Sequence, residues 1–159
     1  TQGVSSAASD VYKRQIHVLE IQKIDVICED NRGFDEKNLC LQLFSDASYS
    51  IPVRSCDFFY IWNMITNYHP RSYCHRRIHD IQENYFLMCI DDNAKIQKLI
   101  TNLKELSMSQ VYQALLSETH QQYRGNYLKC LENLKKVLLV SFQKAYDEHK
   151  GIVYYNDDY

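Results

Sequence analysis

Between Ala47 and His79 the chain carries four arginines, Arg54, Arg71, Arg76 and Arg77, against one acid, Asp57. His69, Tyr73 and His75 are interleaved with them. A guanidinium group is a planar fork of N–H donors that matches phosphate oxygens two at a time. Arginines converging from two elements would therefore clamp a phosphorylated headgroup or a nucleic-acid backbone. Phosphate binding is the first chemistry to expect of these four residues.

Other chemistries find less support. Cys74, His75 and His79, with His69 and Asp80 nearby, raise the question of a metal, since histidines four apart share a helix face. No H-E-x-x-H and no second Cys/His pair completes a ligand set, and the neighbouring arginines repel a divalent cation, so no metal is expected. The sequence has no G-x-S-x-G, no cysteine with a recognisable catalytic surround and no glycine-rich phosphate loop. With only four glycines there is little permissive backbone for an oxyanion hole. Asp91 and Asp92 read as a helix cap, and Asp157 and Asp158 as a solvated tail. The chain is expected to be non-catalytic and to use no cofactor.

The bulk properties set the frame for such a site. A chain of 159 residues with 45% hydrophobic and 13% aromatic content has material for one folded domain with an appended helical piece. The net charge of −2 leaves any anionic partner to a local patch. The six cysteines are scattered without a C-x-x-C, as expected of reduced thiols in an intracellular protein. No apolar run approaches the roughly 20 residues of a membrane span. Residues 1–15 match neither a signal nor a transit peptide and are expected to be a non-native leader on a fragment of a longer protein.

The elements that must position the arginines follow from hydrophobic period. Residues 16–28, rich in Ile and Val, alternate through Ile24, Val26 and Cys28 and predict a strand. Leu39, Leu41 and Leu43 predict a second strand, and Tyr49, Ile51 and Val53 a third, with Pro52 at an edge or bulge. These three strands make an N-terminal antiparallel meander. Ser55 and Asp57 then offer N-cap chemistry ahead of Phe58, Ile61, Trp62, Ile65 and Tyr68, a helical spacing that ends before Pro70. A strand over 58–62 competes with that helix.

Further on, Ile78, Ile81, Tyr85 and Met88 recur at helical spacing, although 85–90 also reads as a buried strand. Asp91-Asp-Asn93 caps a helix bearing Ile96, Leu99, Ile100, Leu103 and Leu106. Val111, Leu115 and Leu116 mark another, and Tyr127, Leu131, Leu134, Leu138, Phe142 and Tyr146 a long one ending at Gly151. The predicted fold class is α+β: a three-stranded N-terminal meander followed by a mostly helical C-terminal half. The expected divisions are 16–106 for the α+β domain, 107–151 for a helical extension and 152–159 for a tail.

The stretch from Tyr49 to Pro70 resembles a PX domain, the phosphoinositide-binding module of sorting nexins. Tyr49 and Ile51 stand at the third strand's aromatic and valine positions. Arg54-Ser-Cys-Asp57-Phe58 matches the family's Arg, Asp and Phe, and Ile61 and Ile65 take its helical leucines. Val53 stands where the family has a first Arg, and Ser55 where it has a Tyr. The resemblance spans about residues 16–105. It implies that Arg54 meets the 3-phosphate, that Arg76 or Arg77 meets the other side of the headgroup, and that Asp57, Phe58, Ile61 and Ile65 are helix cap and core. The partner it implies is an anionic phosphoinositide membrane, which places the protein in the cytoplasm, peripheral on endomembranes.

Two alternatives stand beside it. One is a structural or protein-interaction domain without a lipid ligand, whose segment 127–146 receives a partner helix. The other rests on the strand reading of 58–62: Leu39 to Ile61 is similar to the N-terminal β-region of family B DNA polymerases, with Asp57-Phe-Phe-Tyr60 at its aromatic cluster. A nucleic-acid partner is expected only in that case.

Overall fold

The structure is a computed structural model that describes residues 15–30, 36–53, 55–73, 76–79, 86–119 and 126–156. Its centre is a five-stranded, wholly antiparallel sheet. Strand β1 (Gln15–Leu19) is followed by helices α1 (Ile21–Asp30) and α2 (Glu36–Asp46), then by β2 (Tyr49–Pro52) and α3 (Ser55–Ile65). A 3-10 turn over Pro70–Ser72 leads to β3 (Arg76–His79) and β4 (Phe86–Ile90). Helices α4 (Asn93–Glu105), α5 (Met108–Thr119) and α6 (Tyr127–Asp147) come next, and β5 (Gly151–Asn156) closes the series. The strand order is β2-β1-β5-β4-β3.

The alternation of side chains along a strand sorts the core into two faces. Ile16 and Val18 of β1, Met88 and Ile90 of β4, and Ile152 and Tyr154 of β5 pack with α3, α4, α5 and α6. Leu19, Cys89 and Val153, from the alternate positions, pack instead with Ile24 and Ile27 of α1 and Leu39 and Leu43 of α2. The result is three layers, helices on both sides of one sheet, an arrangement that buries both faces of every central strand.

The α+β class is as expected, and the C-terminal half is mostly helical, but the N-terminal meander is not formed. Residues 21–30 and 36–46 are helices where strands were expected. Ile24 and Ile27, three apart, are buried while Val26 between them is exposed. Leu39 and Leu43, four apart, are buried while Leu41 is 51% exposed. Both patterns are those of a helix lying on a sheet, and the need to cover the second sheet face overrides the β-propensity of Ile and Val.

Three further expectations differ from the structure. The expected tail begins with β5, the middle strand of the sheet, flanked by β1 and β4. Residues 76–79 and 86–90, where helical spacing was also in view, form the β3–β4 pair. The core cluster runs without a break from Ile16 to Tyr154 and so crosses the expected division at 106/107.

Helices α3 and α4, which position the candidate site, are as predicted. Helix α3 is the expected helix, so the strand on which the polymerase resemblance depends is absent. Asp92 caps α4, its Oδ1 accepting from the backbone N–H of Ala94 at 2.9 Å and of Lys95 at 3.3 Å. Lys135 of α6 closes the other end of α4, donating to the carbonyl oxygens of Lys104 at 3.1 Å and Leu106 at 2.6 Å. A cation bonded to the last carbonyls of a helix also complements its dipole. Among the described residues no helix is long and apolar enough to cross a membrane.

Candidate functional site

Helix α3 places the predicted core residues as expected. Phe58, Ile61 and Ile65 are buried, and the Phe58 ring lies 4.5 Å from that of Tyr154 and 5.5 Å from that of Trp62. Asp57, in the first turn, is buried as well and accepts a hydrogen bond from the Tyr127 hydroxyl of α6. The helix begins at Ser55, so Asp57 lies inside it, where its charge favours the positive end of the dipole, rather than at the N-cap.

The phosphate-binding arginines are distributed differently from the expectation. Arg54 lies outside the described residues. Val53, immediately before it, follows β2 at one edge of the sheet. Arg76 and Arg77 occupy β3 at the opposite edge, in register with Cys89 and Met88 of β4. Four steps of about 4.8 Å separate the two edge strands, roughly 19 Å in all, more than a phosphorylated headgroup spans. The sheet therefore does not join β2 and β3 into one clamp. Nor do Arg76 and Arg77 occupy the expected helix, and successive strand positions belong to opposite sheet faces. Arg71 falls in the 3-10 turn. Cys74, His75 and Asp80 lie outside the described residues.

What the structure does bring together is the segment Thr66–Tyr73 and helix α4. The end of α3 is closed by a left-handed turn. Asn67 and Tyr68 have φ of 52° and 62°, and the Tyr68 N–H donates to the Asn63 carbonyl at 2.7 Å. Thr66 Oγ1 returns a bond to the Trp62 carbonyl, and the Asn102 amide of α4 donates to the Ile65 carbonyl at 2.8 Å. So anchored, the segment holds Tyr68 67% exposed, with His69 and Ser72 exposed beyond it. A tyrosine in the left-handed region is strained, and such backbone persists only where its surroundings impose it. Lys98 of α4 places its Nζ 5.8 Å from the centroid of the Tyr73 ring, a cation held against an aromatic face.

The site that emerges is the segment carrying the exposed Tyr68, His69 and the Arg71 position, joined to α4 where Lys98 meets the buried Tyr73 ring, and of these Lys98 was missed from the sequence. Nothing in the sequence singles Lys98 out; its place follows from Asn102, one helical turn further on and on the same face, which binds the end of α3.

No protein-family model matches the chain, and neither a curated protein nor a solved structure is similar to it.

Proposed function

We propose that this chain is a non-catalytic module that attaches its protein to an anionic, phosphoinositide-bearing membrane surface on the cytoplasmic side of endomembranes, with the Thr66–Tyr73 segment and the Lys98 side of α4 as the contact. The observation that carries the reading is Tyr68, two-thirds exposed on left-handed backbone and followed by the exposed His69, in the segment whose Tyr73 ring meets Lys98. An amphipathic ring suits the headgroup layer, and each nearby cation adds about 1 kcal/mol of attraction to an anionic leaflet. The PX-like arginines join this reading through Arg71, which sits in the same segment.

Vesicle flotation tests it. Wild-type chain is expected to float with phosphatidylcholine vesicles containing phosphatidylinositol 3-phosphate and to stay behind with phosphatidylcholine alone. Tyr68→Ser and Lys98→Glu should each reduce the bound fraction several-fold, and equal flotation of wild type and both variants would refute the contact. Flotation unchanged in Arg54→Ala would remove Arg54 from the site.

A second reading is favoured by one observation. On the outer side of α6, Val137 and Val140 are 46% and 57% exposed, one helical turn apart. Apolar pairs at that spacing suit a partner helix over segment 127–146. Light scattering that shows a concentration-independent monomer would count against self-association through this face.

A further inference from the structure

The register of β1 against β2 pairs His17 with Ser50. Their side chains meet: His17 Nδ1 lies 2.7 Å from Ser50 Oγ. The two partners differ in exposure, for the imidazole is fully buried and Ser50 is exposed. The flanking residues explain the geometry. Ile16, Val18 and Ile51 all turn into the α3–α6 side of the core, and Tyr49 packs against it, which leaves the alternate positions 17 and 50 on the other face. Because β2 is an edge strand, the hydroxyl stands at the rim of that face.

We propose that Ser50 is an acyl-acceptor site, with His17 as the general base that takes its proton. A serine hydroxyl is a weak nucleophile until a base within hydrogen-bonding reach accepts its proton during attack. Here the base is fixed by burial and the nucleophile is open to a reagent. With the neutral ring's proton on Nε2, Nδ1 is the acceptor and the Ser50 hydroxyl donates to it.

In the step, Ser50 Oγ attacks the carbonyl carbon of an activated ester and its proton passes to His17 Nδ1. The new O–C bond forms, the bond from that carbon to the leaving phenolate breaks, and the phenolate departs with the electron pair. The imidazolium gives its proton to the departing phenolate, which ionises again in bulk solvent, and an O-acyl serine remains. A buried imidazole is badly placed to activate a second water, so the acyl group stays on the protein. The outcome is modification of one residue rather than turnover, and it is independent of membrane attachment.

The probe is p-nitrophenyl acetate, read by nitrophenolate release and by mass spectrometry of the Ser50-bearing peptide. One equivalent of nitrophenolate is expected, with the acetyl group on Ser50 and none in Ser50→Ala. His17→Gln should slow the labelling by about 100-fold or more, the span of general-base catalysis. An acetyl group on Lys150 instead of Ser50, or equal rates with and without His17, would overturn the proposal. Should His17→Gln not fold, Ser50→Cys with His17 intact decides. Its new thiol is expected to react with iodoacetamide faster than the exposed Cys130, and no faster reaction would equally overturn it.

Discussion

The buried carboxylate of Asp57 and the hydroxyl of Tyr127 are 70 residues apart in sequence and tie α3 to α6 by a hydrogen bond. Tyr127→Phe keeps the ring and removes that donor. It is expected to destabilise the fold by about 1–3 kcal/mol, the penalty of a buried polar group that loses a partner, read as a lower urea midpoint at unchanged slope. Tyr49 carries a pH dependence of its own. Burial, reinforced by the nearby Glu148, pushes its hydroxyl up to about 12 from 10, while the hydroxyl donates to the Ser141 carbonyl at 3.0 Å.

The unfolded chain loses the Tyr49 proton first, so this contribution to stability is whole below pH 10 and is lost as pH rises towards 12. Thermal unfolding followed from pH 9 to 11.5 should fall less steeply in Tyr49→Phe. At this scale Asp57, Phe58, Ile61 and Ile65 were legible, because a polar residue followed by apolar residues at helical spacing describes one packed helix face. Lys98 was not legible, because one lysine on an amphipathic helix looks like any solvated charge until its neighbours in space are known. The pairing of His17 with Ser50, 33 residues apart, is likewise a product of register alone.

Helices α1 and α2 show why the N-terminal elements misread. A run of apolar residues at 39, 41 and 43 has the period of a strand, yet 39 and 43 are also one helical turn apart, and only the exposure of Leu41 separates the two. Ile and Val in 21–30 then tip a reading by propensity towards strand, although the sheet needed a cover more than another strand. In contrast, α4 and α6 were legible because their apolar spacing runs over 13 and 21 residues, too long for a coincidence of period. The seam between α1 and the sheet is tight at Gly151. A Cβ there would collide with the Ile24 side chain and come within 3.1 Å of the Ile90 carbonyl oxygen. Gly151→Ala is therefore expected to cost about 1–3 kcal/mol by overpacking, and Ile24→Val, which removes the colliding δ-methyl, to recover part of it when combined. Equal denaturation midpoints for Gly151→Ala and wild type would show that the seam relaxes freely.

For the whole molecule the decisive fact is strand order, which nothing local in the sequence encodes. It places Arg76 and Arg77 far from the end of β2, and it makes β5 the bridge between two pairs, β2–β1 and β4–β3, that share no other strand. A chain ending at Lys150 would keep the six described helices but leave β1 and β4 with facing, unpaired edges. Unpaired edges invite pairing with other chains, so this truncation is expected to abolish cooperative unfolding and to aggregate, as judged by calorimetry and light scattering. A monomeric truncation with an intact melting transition would contradict the bridging role of β5. The same topology governs how the protein is made. Domains generally fold as units while synthesis proceeds. Here β1 waits for β5, which is made more than 130 residues later, so the described sheet closes only after residue 156 has emerged, and until then a nascent chain with two exposed edges is a client for whatever binds unfinished sheets.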